Sequence, residues 1–195
     1  MATSATPMGA EPVGTLSASG SFTGKVRHIK IANAYGTSIF YGDFVKLVAA
    51  GTVEKAAVTT AAVAGTVGIF VGCSYTDPGT GQLTFNQYFP ASTAADDIMA
   101  YVVDDPKLLF QMQGDGSIAQ TGLGNNVSAI STAGSTAIGR SKNALDASSI
   151  ATTNTLPLRV IDFVDGPKSA VGDAFTDCIV TYLPLSHAYE TKLGV

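Results

Sequence analysis

From Gly65 to Pro90 the chain reads GTVGIFVGCSYTDPGTGQLTFNQYFP, with apolar residues at alternating positions. Val67, Ile69, Val71 and Cys73 fall on one face at period two and Gly68 and Gly72 on the other, which predicts a strand. Thr76-Asp77-Pro78-Gly79-Thr80-Gly81 then supplies a tight turn: Pro78 presets one backbone angle, and Gly79 and Gly81 tolerate positive φ. Leu83 and Phe85 resume the alternation, and the run closes on Tyr88-Phe89-Pro90. The pattern predicts a β-hairpin, a packing unit that brings no reactive group with it.

The same period recurs along the chain. KVRHIKIA from Lys25 alternates Val26, His28 and Lys30 against Arg27, Ile29 and Ile31, and SIFYGDFVKLVA follows with a bend or bulge at Gly42-Asp43. Ala91 to Asp97 reads as a short helical turn capped by Ser92 or Thr93. MAYVVDD and KLLFQMQ predict two strands joined at Asp104-Asp105-Pro106, and LPLRVIDFV and AFTDCIVTYL predict two more. Between them, Gln120 to Thr155 is rich in Gly, Ser, Thr, Ala and Asn, with isolated apolar points at Val127, Ile130, Ile138, Leu145 and Ile150. GDFVKL, GIFVG and QLTFNQYFP are echoed by GNNVSAI, LRVIDFV and FTDCIVTYLP, either as a pair of related modules or as the chance likeness of two hairpins. The fold class expected is mainly β: one or two small β-barrel or sandwich modules with an extended N-terminal arm. Residues 1–24 form the arm, 25–118 a first β module, and 119–195 a second module or a continuation of the same domain.

Composition narrows the function. Of 195 residues 13% are charged, 11 basic against 15 acidic, for a net charge of −4. The basic residues are scattered, with no cluster longer than Lys25, Arg27 and Lys30, so direct nucleic-acid binding is not expected. Hydrophobic residues make up 46%, much of it Ala and Val, which suits a protein that buries surface against neighbours. The first twenty residues have no basic or apolar block of a signal peptide. The charge-free run from Lys55 to Asp77 is diluted by Thr and Gly and alternates like a strand, so no membrane association is expected. Cys73 and Cys178 are too few for a disulfide framework and are expected as buried thiols, with a single bridge left open.

Motifs that carry chemistry are near misses. Gly139-Arg140-Ser141-Lys142-Asn143 lacks the second glycine of a nucleophile elbow, and Gly9 to Gly14 has phosphate-loop spacing with Thr15 where Lys is required. His28 and His187 lie in no zinc pattern and are expected at a surface or interface. The acid pairs Asp96-Asp97 and Asp104-Asp105 abut turns and are expected as solvated turn acids, since adjacent strand residues point to opposite faces. Asn126-Val127-Ser128 matches a glycosylation sequon by a triplet common by chance. The aromatics Tyr35, Phe40, Tyr41, Phe44, Phe70, Tyr75, Phe85, Tyr88 and Phe89 follow strand periodicity and read as core. No catalytic residue, cofactor or metal site is predicted.

GTSIFYGDFVKLVAAGTVEKA, AGTVGIFVGCSYTDPGTGQLTFNQYFPAS, MAYVVDDPKLLFQMQGDG, and LPLRVIDFVDGP with IVTYLPLSHAY together resemble the capsid decoration, or cement, proteins of tailed phages. The likeness covers roughly residues 25 to 190 in order, and GDFVKLVAAGTVEKAAVTTAAVAGTVGIFVG is also similar to the small β-barrel of shorter decoration proteins. The resemblance implies a structural virion protein on the capsid exterior, present in host cytoplasm during assembly. It implies binding to the major capsid protein of an icosahedral head, commonly as a homotrimer, stabilising the shell against internal DNA pressure. It implies no enzyme activity. Within the arm, Pro7, Pro12, Val13, Leu16 and Phe22 are the candidate capsid contacts: enough apolar surface to dock extended, too little to fold alone. Two other readings fit the composition, another virion component such as a head-fibre base or tail protein, and a secreted β-rich adhesion or carbohydrate-binding module.

Overall fold

The computed structural model describes residues 4–17, 24–58 and 66–190. The first antiparallel sheet orders β1 (Glu11–Thr15), β8 (Leu108–Gln113), β13 (Asp177–Tyr182), β12 (Leu158–Phe163) and β9 (Asn126–Val127). The second orders β2 (Arg27–Lys30), β7 (Met99–Val103), β5 (Thr66–Thr76), β3 (Phe44–Leu47) and β4 (Val53–Lys55), with β6 (Leu83–Asn86) on the far half of β5. A small third pair joins β10 (Ala129–Ile130) to β11 (Ala144–Leu145). The protein is mainly β and sandwich-like, and no sheet closes into a barrel. Helix is confined, among the described residues, to three short 3-10 turns at Gln120–Gly122, Ala147–Ser149 and Pro184–Ser186.

Most strands fall where alternation places them. The hairpin of β5 and β6 has the expected turn, with Asp77 accepting from the Gly79 and Thr80 amides and Gly81 at φ +68°. Gly42 makes the expected bend at φ +87°. No helical turn forms at 91–97. There the Ser92 amide donates across the fold to the Tyr35 carbonyl, and the Thr93 hydroxyl donates locally to the Pro90 carbonyl, so the backbone is held by these bonds in place of helical ones.

The faces of β5 depart from the simple reading. Val67, Ile69, Val71 and Cys73 do not share one face, because β5 carries two extra residues. Val67 is unpaired opposite the Val45–Lys46 step of β3, and Val71 opposite the Tyr101–Val102 step of β7. Each bulge advances the side-chain phase by one residue. Ile69 therefore enters the core between the sheets with Phe44, Val103, Phe110, Val160, Val180 and Tyr182. Val67, Phe70, Cys73 and Tyr75 enter a second core on the other face, with Ile31, Ile39, Val45, Phe89 and Val102. Gly68 lets β5 and β7 meet between the bulges: a Cβ there would press into the Val103 carbonyl oxygen, far inside contact distance.

A division at residue 118 cuts through one sheet, since β8 from the first segment pairs along its length with β13 from the second. The inter-sheet core also draws on both segments. The two segments thus share a sheet and a core. The described part of the N-terminal arm, residues 4–17, joins the same sheet: β1 pairs with β8 from Glu11↔Gln111 to Thr15↔Leu108, and Ala10 is wholly buried in the inter-sheet core. The surface on which this arm lies is the chain's own sheet.

Gly68→Ala should lower the unfolding free energy by about 2 kcal/mol or more through overpacking against β7. Gly36→Ala, whose Cβ would meet nothing, should stay within about 0.5 kcal/mol of the parent. Urea titration of the two variants checks both.

Candidate interaction surface

The second sheet overhangs the first. Met99, Tyr101 and Val103 alternate onto the face that meets the first sheet; Val103 is buried there, whereas Met99 is exposed. Register carries that uncovered face across the strands, from Lys30 to Met99 to Ser74 to Phe85, and beside it from Thr76 to Leu83. Phe85 and Leu83 are 68% and 61% exposed, high for side chains of that size on a strand. His28 packs on Tyr101 at the other end, with ring centroids 4.5 Å apart.

β6 is also an open edge. Asp77 N–H donates to the Gln82 carbonyl, so by antiparallel alternation the amides and carbonyls of Leu83 and Phe85 point away from β5. The other edges carry the usual protection: Pro12 and a bulge at Val13 in β1, Arg27 and Lys30 in β2, Glu54 and Lys55 in β4, and two residues only in β9. β6, Leu-Thr-Phe-Asn, has no charge and no proline. An uncharged edge thus lies beside exposed apolar side chains, without the protection the other strands carry.

The arm residues have different fates. Pro7 and Pro12 are half-buried on the body, while the bulge turns Val13 outward and leaves it and Leu16 about half exposed. Phe22 lies outside the described residues. A groove of about 470 Å³ runs beside the arm, lined by polar side chains including Thr6, Glu11, Gln111, Gln113, Lys168 and Asp177. Burial holds the Asp177 carboxyl above its usual range, against a hydrogen bond with Gln113.

The candidate chemical groups are fastened in the fold. Asp96 and Asp97 are exposed; Asp96 accepts from Asn33, and the Thr76 hydroxyl and amide hold the Asp97 carboxyl below its usual range. Asp104 is not solvated as expected: nearly buried, it pairs with Arg27 Nε at 2.7 Å and accepts from the Tyr189 hydroxyl at 2.9 Å. Cys73 and Cys178 are free and buried in separate cores, with burial pushing both thiols up to about 12. Asn126 of the sequon is buried, its amide donating to the Thr153 carbonyl. No three His, Cys, Asp or Glu gather to hold a metal among the described residues, and no described helix is long and apolar enough to cross a membrane.

His28 is exposed, but His187 is wholly buried, a correction to its placement at a surface. It sits between Tyr182 and Tyr189, with ring centroids 5.2 and 5.0 Å away, and Nδ1 accepts from the Tyr189 amide. Nε2 is buried and makes no hydrogen bond. The sequence hint was the spacing Tyr182, His187, Tyr189 directly after a strand, where a turn folds the segment back onto the aromatic core. No protein-family model matches the chain, and neither a curated protein nor a solved structure does.

Two expected outcomes follow from this geometry. Removing residues 1–16 strips β1 from β8 and uncovers the inter-sheet core at Ala10, so the midpoint of urea unfolding should fall, whereas Val13→Asp with Leu16→Asp should shift stability by less than about 1 kcal/mol. Burial lowers the folded-state pKa of His187, so on acidification the unfolded chain takes up the proton first. Stability should therefore fall as the pH drops below about 6.5, by at most about 1.4 kcal/mol per pH unit, until the folded value is reached. In His187→Phe that slope between pH 6.5 and 5 should flatten, as read by thermal melting across pH.

Proposed function

We propose that the chain is a capsid decoration protein, a structural virion component that binds the outer surface of an icosahedral phage head. The observation that carries the reading is the uncharged open edge of β6 beside the uncovered row of Met99, Phe85 and Leu83. A second pair of exposed apolar side chains, Val13 at the bulge of β1 and Leu16 just after it, is held on the body by the pairing of this segment with β8 and Lys107. Two separate apolar surfaces suit a part that must meet copies of itself and also a shell. Together with the resemblance carried by residues 25 to 190, they favour an assembly role. In this proposal β6 faces a neighbouring copy in a homotrimer, the arm strip faces the major capsid protein, and the protein stabilises the shell. Many weak contacts repeated around a closed lattice add up without any single strong site.

Light scattering should find a trimer that Leu83→Asp with Phe85→Asp converts to a folded monomer. Electron microscopy of heads mixed with the protein should show it on their outer surface, with occupancy falling at least tenfold for Val13→Asp with Leu16→Asp. Heads that stay bare at every protein concentration would overturn the decoration role. A monomer at all concentrations, both free and on particles, would overturn the trimer alone.

A further inference from the structure

Asp43, just before β3, is wholly buried and binds four donors. Oδ2 accepts from the Phe40 amide at 2.9 Å and lies 2.9 Å from Lys55 Nζ at the end of β4. Oδ1 accepts from the Ser141 hydroxyl at 2.6 Å and from the carboxamide nitrogen of Asn143 at 3.1 Å. One carboxylate thus holds a primary amine with one oxygen and a carboxamide with the other. The carboxamide is polarised as well: Asn143 Oδ1 accepts from the Thr132 amide at 2.9 Å. Asn143 and Ser141 are almost fully buried, the Lys55 side chain is 14% exposed, and the Phe40 ring lies 5.8 Å from Nζ. A lone buried ion pair is a poor stabilising device, because desolvation offsets its attraction. An amine, a proton acceptor, an amide carbon and a fixed N–H on its oxygen are, however, the four parts that amide transfer needs.

We propose that Lys55 and Asn143 form an intramolecular isopeptide bond, with Asp43 as proton carrier. Asp43 takes one proton from the Lys55 ammonium, and the freed electron pair adds to Cγ of Asn143. The carbonyl electrons move onto Oδ1, where the Thr132 N–H stabilises them. Asp43 delivers a proton to Nδ2 and receives one from the new amide nitrogen. The bond from Cγ to Nδ2 breaks, ammonia leaves with its electron pair, and the carbonyl reforms. The products are one amide N–H, one ammonia and a protonated Asp43; nothing is oxidised or reduced. Ser141 and the Phe40 amide act as positioning groups that fix the carboxylate between its two reactants. The bond would tie β4 to the segment before β11, 88 residues further along the chain.

Mass spectrometry of the purified wild-type chain decides this. The expected result is an intact mass lower than the sequence mass by one ammonia. A tryptic digest should leave the chain uncut after Lys55 and yield a linked pair of peptides carrying Lys55 and Asn143. Lys55→Arg, which keeps the charge, should return the full mass and separate peptides. A wild-type chain at full sequence mass with complete cleavage after Lys55 would overturn the proposal, leaving a non-covalent ion pair. Ammonia loss mapped to a single cyclised asparagine, without a linked pair, would overturn it equally.

Discussion

The close passage of β5 against β7 at Gly68 is the constraint on which the rest of the sandwich depends. Without a side chain at that point, the two backbones can approach until the Val103 carbonyl occupies the space a Cβ would fill. The bulges on either side then send Ile69 to one core and Val67 and Phe70 to the other. A strand with apolar side chains on both faces is a central layer. The loops that carry Ile31, Ile39, Phe89 and Ile98 cover one side of it, and the first sheet covers the other.

Polar groups fix how the irregular segments join this layer. Asp43 gathers Lys55, Ser141 and Asn143, so a segment poor in apolar residues still has a definite seat. Gly9 fits the same place, since a Cβ there would collide with the Gly42 carbonyl and Ser141. On the opposite flank Asp104 ties Arg27 of β2 to Tyr189 of the C-terminal segment, and Lys107 reaches Glu190 at 3.1 Å. Buried carboxylates held by several donors specify one arrangement more than they add stability.

Much of this was legible in the sequence, and the misses share a cause. Period-two runs located β2, β7, β8, β12 and β13, and turn chemistry at Asp77-Pro78-Gly79 located the β5–β6 hairpin. The bulges were hidden because alternation assumes regular pairing, and an extra residue is defined only against a partner strand 20 or more residues away. The burial of Asp104 was hidden for a similar reason, because Arg27 of β2 reaches it through tertiary packing, whereas the burial of His187 left only the local hint of its two flanking tyrosines. The arm misled by composition: small residues predicted no core, yet smallness is what lets Gly9 and Ala10 slip beneath Gly42. Leu83 and Phe85 were visible as alternating residues, but whether such a face is covered is settled by where the other sheet stops.

The pairing order of the first sheet bears on how the protein is made. β8 lies between β1, which leaves the ribosome roughly a hundred residues earlier, and β13, which follows more than sixty residues later. Until the last strand is synthesised, β8 has one unpaired side and Phe110 lacks its partner Tyr182. Such non-local topology folds slowly, because chain closure must precede the contacts that reward it. From the synthesis of β8 until that of β13 the nascent chain therefore carries an adhesive strand, and translation arrested before Asp177 releases a fragment prone to aggregation rather than a smaller working domain.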